Sequence, residues 1–209
     1  MSFLTQIELE GYSRFIIKLL RHNALKYNLF MDCDGFIKCD ELLAIPELKI
    51  VSIEDIKKIV TMSESDKKRF NLKNVQENYY IAANQGHSIN INSSLLKPIT
   101  LENYYEYENK DIIHGSFLRA KDKILKQGLN KMKRIHIHFT TNIDPNKVIS
   151  GLRKSCEIYI YINLEKALQD GYEFFESPNG VILCPGNSMG VLPTEYFLKV
   201  VNKKDLTKL

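Results

Sequence analysis

Residues 70–88 read FNLKNVQENYYIAANQGHS. The segments Phe70-Asn71-Leu72 and Tyr79-Tyr80-Ile81 flank a polar stretch, and this pattern predicts a β-hairpin with 73–78 as its turn region. Upstream the sequence is helical. In 12–20 the apolar residues Phe15, Ile16, Leu19 and Leu20 recur at helical spacing, and that helix runs into Arg21-His22-Asn23. A turn is expected at 32–35 and a short strand at Phe36-Ile37-Lys38, followed by a helix from Glu41 capped by Asp40. Ser52-Ile53-Glu54-Asp55 has the capping-box pattern, and the helix it opens carries Ile53, Ile56, Ile59 and Val60 on one side. Three helices and then a hairpin outline a winged-helix module, a common nucleic-acid reader.

Downstream, the polar stretch Asn90-Ile91-Asn92-Ser93-Ser94 separates the halves. The second half is strand-rich: β-branched runs occupy 112–114, 135–140, 157–162 and 180–184, with helices expected at 117–126 and 164–169. The expected fold class is α+β. A winged-helix-like lobe over 1–92 precedes a mixed β lobe over 93–209, with the active site in the cleft between them, where substrates usually sit.

Composition narrows the classes. The 209 residues are 44% hydrophobic and 26% charged, ordinary values for a soluble globular protein. No stretch is long and apolar enough to span a bilayer, so no membrane is expected as partner. The N-terminal MSFLTQIELEGYSRF does not read as a secretory signal. Cys33, Cys39, Cys156 and Cys184 form no CxxC pair, which argues against zinc and for a reducing compartment, cytoplasmic or nuclear. A net charge of +4 permits nucleic-acid binding without demanding it. A monomer is expected. Most basic residues are lysine; the arginines are Arg14, Arg21, Arg69, Arg119, Arg134 and Arg153, each either a rigid bidentate contact or a solvated surface residue.

Local patterns carry the candidate chemistry. Arg21-His22 ends a helix, where cations also serve as simple caps on the dipole. Asn84-Gln85-Gly86-His87-Ser88 follows the hairpin and could be an ordinary turn. His114-Gly115-Ser116 lies between a strand and a helix whose N-terminus would suit a phosphate or a ribose hydroxyl. His136 and His138 fall on one side of a strand, but no third ligand adjoins them, so no metal is expected. Ser150-Gly151-Leu152-Arg153 is the last pattern.

Taken in order, LLRHN (19–23), DCDGFIKCDELL (32–43), ANQGHS (83–88), HGS (114–116), GLNKMKRIHIHF (128–139), SGLRKSCEIYIYINLEKAL (150–168) and DGYEFFESPNGVILCPG (170–186) resemble the RNA 2′-phosphotransferase family of KptA and yeast-type tRNA 2′-phosphotransferases. The resemblance runs from about residue 12 to residue 200. It implies that the N-terminal lobe holds RNA and that the C-terminal lobe is of ADP-ribosyltransferase type and holds NAD, consumed as co-substrate without a metal. The implied substrate is RNA bearing an internal 2′-phosphate, as in spliced tRNA. The phosphate attacks the nicotinamide-bearing ribose carbon and expels nicotinamide. A ribose hydroxyl then attacks phosphorus, leaving 2′-hydroxyl RNA and ADP-ribose 1″,2″-cyclic phosphate. Arg21 and Arg153 match two essential arginines assigned to the 2′-phosphate, and His22 matches an essential histidine. Asn84, Gln85, Gly86 and His87, with His114, Gly115 and Ser116, match cofactor-binding positions.

One position departs. The family pattern before ANQGHS carries an arginine where this chain has Ala82. Either the natural protein lacks it, or another basic residue substitutes, or the alanine was introduced to arrest the reaction; the intact remainder of the signature favours the last. Ser116 stands where threonine is usual, and both keep the hydroxyl. Two alternatives follow: an impaired enzyme that stops at ADP-ribosylation of the RNA phosphate, and a non-catalytic RNA-binding protein.

Overall fold

The computed structural model describes residues 4–64, 68–91, 94–144 and 148–206. The chain divides into two compact units, Met1–Leu95 and Leu96–Leu209. The expected division after residue 92 falls at Asn92 and Ser93, which lie outside the described residues. The fold class is α+β, and every strand pairing is antiparallel.

In the first unit, helix α1 (Gln6–Lys18) begins earlier than its apolar spacing suggested, because Thr5 and Glu8 form a reciprocal capping box. The helix continues as a π-helical turn, Leu19–Asn23, and a 3₁₀ turn, Ala24–Tyr27. Strand β1 (Ile37–Lys38) leads into α2 (Cys39–Leu43). Asp40 is not the cap of that helix: it lies inside the first turn, and the N-cap position is Lys38, whose side chain makes no cap bond. Helix α3 (Ile53–Glu64) starts as its sequence predicts. The Asp55 carboxylate accepts from both the Ser52 amide (3.0 Å) and its hydroxyl (2.6 Å).

Strands β2 (Phe70–Val75) and β3 (Asn78–Ala83) form the hairpin, and β1 pairs with the other edge of β3. The strands run longer than the apolar triplets indicated, so the turn shrinks to Gln76-Glu77. Both of these residues have positive φ, 48° and 67°, the requirement of the mirror-image turns that match strand twist. Ile16, Leu20, Ile56, Ile59 and Ile81 are closed into one core that binds helices to sheet.

In the second unit, β4 (Lys97–Ile99), β9 (Phe174–Glu176), β10 (Ile182–Cys184) and β7 (Ile137–Phe139) form one sheet in that order. Strands β12 (Phe197–Asn202), β8 (Ile158–Ile162) and β5 (Ile112–Ser116) form another, and β6 (Leu129–Asn130) pairs with β11 (Val191–Leu192). Helices α4 (Lys121–Gln127) and α5 (Leu164–Gln169) connect strands. Strand β8 reads Ile-Tyr-Ile-Tyr-Ile and is buried throughout. Its isoleucines join the main core with Phe139 and Phe174, and Tyr159 and Tyr161 join a smaller cluster on the opposite face with Ile113 and Cys156. A strand covered on both faces has this continuous apolar character.

The helix expected at 117–126 begins later. A 3₁₀ turn, Leu118–Ala120, intervenes, and α4 opens at Lys121. His114-Gly115-Ser116 is therefore the end of a strand, and no helix N-terminus stands directly behind it.

Replacing Ser52 by alanine removes the hydroxyl that caps α3 and one of the bonds to the buried Asp55 carboxylate. A loss of about 1 kcal/mol in unfolding free energy is expected. A denaturant midpoint equal to that of the parent would show that the cap contributes nothing.

Candidate functional site

The motif residues gather in two groups, one in each unit. In the first, the π-helical turn is the feature that presents Arg21 and His22. Such turns insert an extra residue into a helix and recur at functional sites. The turn is tied to the loop after β3 by Ser88. The Ser88 amide donates to the Arg21 carbonyl at 2.9 Å, and its hydroxyl lies 2.9 Å from His22 Nδ1. Gly86 adopts φ +89°, and a Cβ there would sit 3.2 Å from Arg21 Nε and 3.3 Å from Cζ. The glycine is needed for its backbone conformation and also gives the guanidinium stem a flat surface to lie on. Arg21 is half-buried and His22 exposed, so the histidine ring is accessible while one nitrogen is oriented by Ser88.

The turn 32–35 joins the same group. Asp32 Oδ1 accepts from the amides of Asp34 and Phe36, and Gly35, at φ +85°, faces His87: a Cβ there would lie 3.3 Å from its Nε2. Asn84 does a structural task. Its side-chain amide donates to the carbonyls of Lys68 and Phe70, pinning the loop to the start of β2. Gln85 and His87 are buried. Ala82 pairs with Asn71 and is fully buried, but it is not part of the apolar cluster that takes its neighbours Ile81 and Ala83.

The second group centres on His114. Its Nδ1 donates to the His138 carbonyl at 2.9 Å, which fixes the tautomer and leaves Nε2 as the remaining ring nitrogen. The next residue, Gly115, donates its amide to the Gly151 carbonyl at 2.8 Å. A Cβ at Gly115 would lie 2.6 Å from Leu152 Cδ2 and 3.1 Å from Leu152 Cα, so only glycine lets the Arg153 loop come this close. The Ser116 carbonyl accepts from the Glu157 amide. Arg134, which sequence reasoning named without giving it a role, stands in this group, its Nη1 3.3 Å from His138 Nδ1. Its signal was the Arg-x-His-x-His spacing, legible only when strand β7 is known to point His138 back at it.

The electrostatics are one-sided. Burial holds His114 below the usual histidine value, and the nearby Arg134 and Arg153 push it further down. Arg134 is itself lowered, first by partial withdrawal from water and then by Arg153. Among the described residues no carboxylate pairs with Arg134 or Arg153. His136 lies in a bend before β7 rather than in the strand, so it does not share a strand face with His138. Burial, with a smaller contribution from Lys131, pushes it down to about 4. Among the described residues no cluster of His, Cys, Asp and Glu could hold a metal ion. The thiols of Cys39 and Cys184 are pushed up to about 12 by burial and are unsuited to nucleophilic work.

The depressed histidines make stability depend on pH. In the unfolded chain His136 titrates near its ordinary value of about 6.5. Between that value and the folded value of about 4, the unfolded chain takes up a proton that the folded chain refuses. Stability is therefore complete above the unfolded value and falls as pH drops below it, by about 2 kcal/mol at pH ~5 for this group. His136→Gln should flatten the dependence of the urea midpoint on pH between about 7 and 5. An unaltered slope would remove His136 as a source.

The sequence matches the family described as RNA 2′-phosphotransferase, Tpt1 / KptA family, over residues 8–186. It is 38% identical over 197 residues to tRNA 2′-phosphotransferase 1 of Danio rerio, covering 93% of this chain and 86% of that protein. It is also 38% identical over 200 residues to tRNA 2′-phosphotransferase 1 of Bos taurus, covering 94% of this chain and 76% of that protein. Identity to tRNA 2′-phosphotransferase of Saccharomyces cerevisiae is 35% over 209 residues, covering 94% of this chain and 86% of that protein.

Proposed function

Because the chain belongs to the RNA 2′-phosphotransferase family, we propose that it removes the 2′-phosphate left in tRNA by splicing, with NAD as the consumed acceptor. On this reading the first unit is a winged-helix-like RNA lobe and the second an ADP-ribosyltransferase-like NAD lobe. The observation that carries the reading is the joining of Arg21-His22 to the 84–88 loop through Ser88, which turns two motifs distant in sequence into one oriented group.

The residues suit the chemistry. A phosphate monoester carries close to two negative charges near neutral pH, and holding it against a second reactant is itself worth many kcal/mol. Arg21 and Arg153 are assigned to that phosphate; a planar fork can grip two of its oxygens. His22 is exposed, with Nδ1 oriented by Ser88, and can exchange a proton or contact the phosphate through Nε2. The donor set around His114 fits an anionic dinucleotide: two guanidiniums and an imidazole, with no carboxylate paired to either guanidinium among the described residues. NAD supplies an electrophilic ribose carbon that takes the RNA phosphate as nicotinamide leaves. The ADP-ribosylated RNA phosphate then resolves to 2′-hydroxyl RNA and ADP-ribose 1″,2″-cyclic phosphate.

Incubating a 2′-phosphorylated RNA with NAD and resolving the products tests the assignment. Appearance of 2′-hydroxyl RNA that depends on NAD is the expected outcome. RNA unchanged by both this chain and its arginine-82 counterpart would leave only a binding protein.

Ala82 favours a second reading, an enzyme slow in its later step. In the first step the phosphate is the nucleophile, and a cation that grips it tightly gains little beyond positioning. In the second step charge moves onto phosphoryl oxygens and the departing oxygen, where a fixed cation stabilises the transition state more than the ground state. The chain should accumulate ADP-ribosylated RNA phosphate in a time course, and Ala82→Arg should clear it. Because Ala82 is fully enclosed, the variant's melting temperature must be read alongside. Equal rates and no intermediate in either chain would end this reading of position 82.

A further inference from the structure

Three neighbouring connections in the second unit bring Arg134 to a place that its sequence position does not suggest. Its Nη1 meets His138 Nδ1 at 3.3 Å, and the His138 carbonyl accepts from His114 at 2.9 Å. The Gly115 amide, one residue on, holds the Gly151 carbonyl at 2.8 Å and so draws in the loop that carries Arg153. Two guanidiniums and an imidazole thus share one locality, and both arginines are exposed as residues. The Arg134 group is partly withdrawn from water, and Arg153 acts on it as a like charge.

Like charges gathered without counter-charge cost folding free energy. A cation kept for stability would sit beside a carboxylate, as Lys166 does with Asp170 at 2.7 Å and Lys97 with Glu106. Arg134 has no such partner among the described residues. Among the described residues its side chain meets an imidazole nitrogen, which aims the fork but does not neutralise it. The missing component is an anion, and a planar guanidinium beside a second one suits phosphoryl oxygens.

We propose that Arg134 is a phosphoryl-binding residue, oriented by His138, that grips a phosphate oxyanion together with Arg153. The inference rests on the functional reading above, which offers two sources of that oxyanion: the diphosphate of the dinucleotide and the phosphate of the RNA. His138 is then a positioning residue acting through Arg134.

The test uses the full chain and its Arg134→Gln and Arg134→Lys variants. Each is measured for melting temperature without ligand, for binding of ADP-ribose, and for binding of a 2′-phosphorylated RNA with NAD withheld. Arg134→Gln should melt no lower than the parent, since it relieves a like-charge contact. It should also lose about 10-fold to 100-fold in affinity for the ligand whose phosphate Arg134 holds. For that ligand the dependence of binding on salt should become shallower, and Arg134→Lys should recover only part of the affinity. Loss confined to ADP-ribose identifies the dinucleotide diphosphate as the source, and loss confined to RNA identifies the RNA phosphate. Parent-like affinity for both ligands in Arg134→Gln overturns the inference and leaves the functional reading intact. A drop in melting temperature with an unchanged salt slope makes Arg134 structural and also overturns it. A parent chain that binds neither ligand overturns the functional reading and the inference together.

Discussion

The second unit depends on one pair of hydrogen bonds. Ile113 and Thr140 exchange amide-to-carbonyl bonds, each of 2.9 Å, in an isolated bridge between β5 and the end of β7. This is where the three-stranded sheet meets the four-stranded one. The residues on either side of the bridge are the functional candidates: His114 follows Ile113, and His138 and Phe139 precede Thr140. The bridge leaves no room for a side chain above it. A Cβ on Gly151 would fall 2.7 Å from the backbone of Phe139 and Thr140, so a glycine with φ +85° is what lets the Arg153 loop cross there. A packing constraint between sheets thus decides which cations stand together.

The first unit solves the same problem with a side chain. Ser88 holds Arg21 by its carbonyl and His22 by its ring, and Gly86 lies flat against the arginine stem. Arg21 is thereby oriented through both its carbonyl and its packed stem, which suits a residue meant to meet a ligand in one geometry. The π-helical turn contributes by rotating these two residues out of the register that the apolar stripe of α1 would impose.

The sequence disclosed what local chemistry decides. The α3 cap was legible because Ser52 and Asp55 interact three residues apart, and β8 because alternating isoleucine and tyrosine leave no polar face. Features decided by distant neighbours were not. The hairpin turn at Gln76-Glu77 uses positive φ in residues that carry no turn signal, so its strands read short. Asp40 has the residue type of a cap, but backbone pairing of β1 with β3 ends at Lys38 and the helix starts at Cys39, two residues before Glu41. The residue types of His114-Gly115-Ser116 suit a strand-to-helix junction, but pairing with β8 through Ser116 and Ile158 prolongs the strand and delays α4. Arg134 was one arginine among six until the fold set it beside Arg153.

Position 82 is where sequence and packing bear on each other most directly. Strand alternation sends Ile81 and Ala83 into the core and turns Ala82 to the other face, so an arginine stem there would run along the sheet and not through the hydrophobic cluster. In this chain the alanine is covered completely. Of the Arg21-His22 pair and the 84–88 loop, Arg21 is the position that carries a guanidinium. Gly86 lies directly against that guanidinium's stem, so the absence of a side chain at position 86 sets where the charge stands.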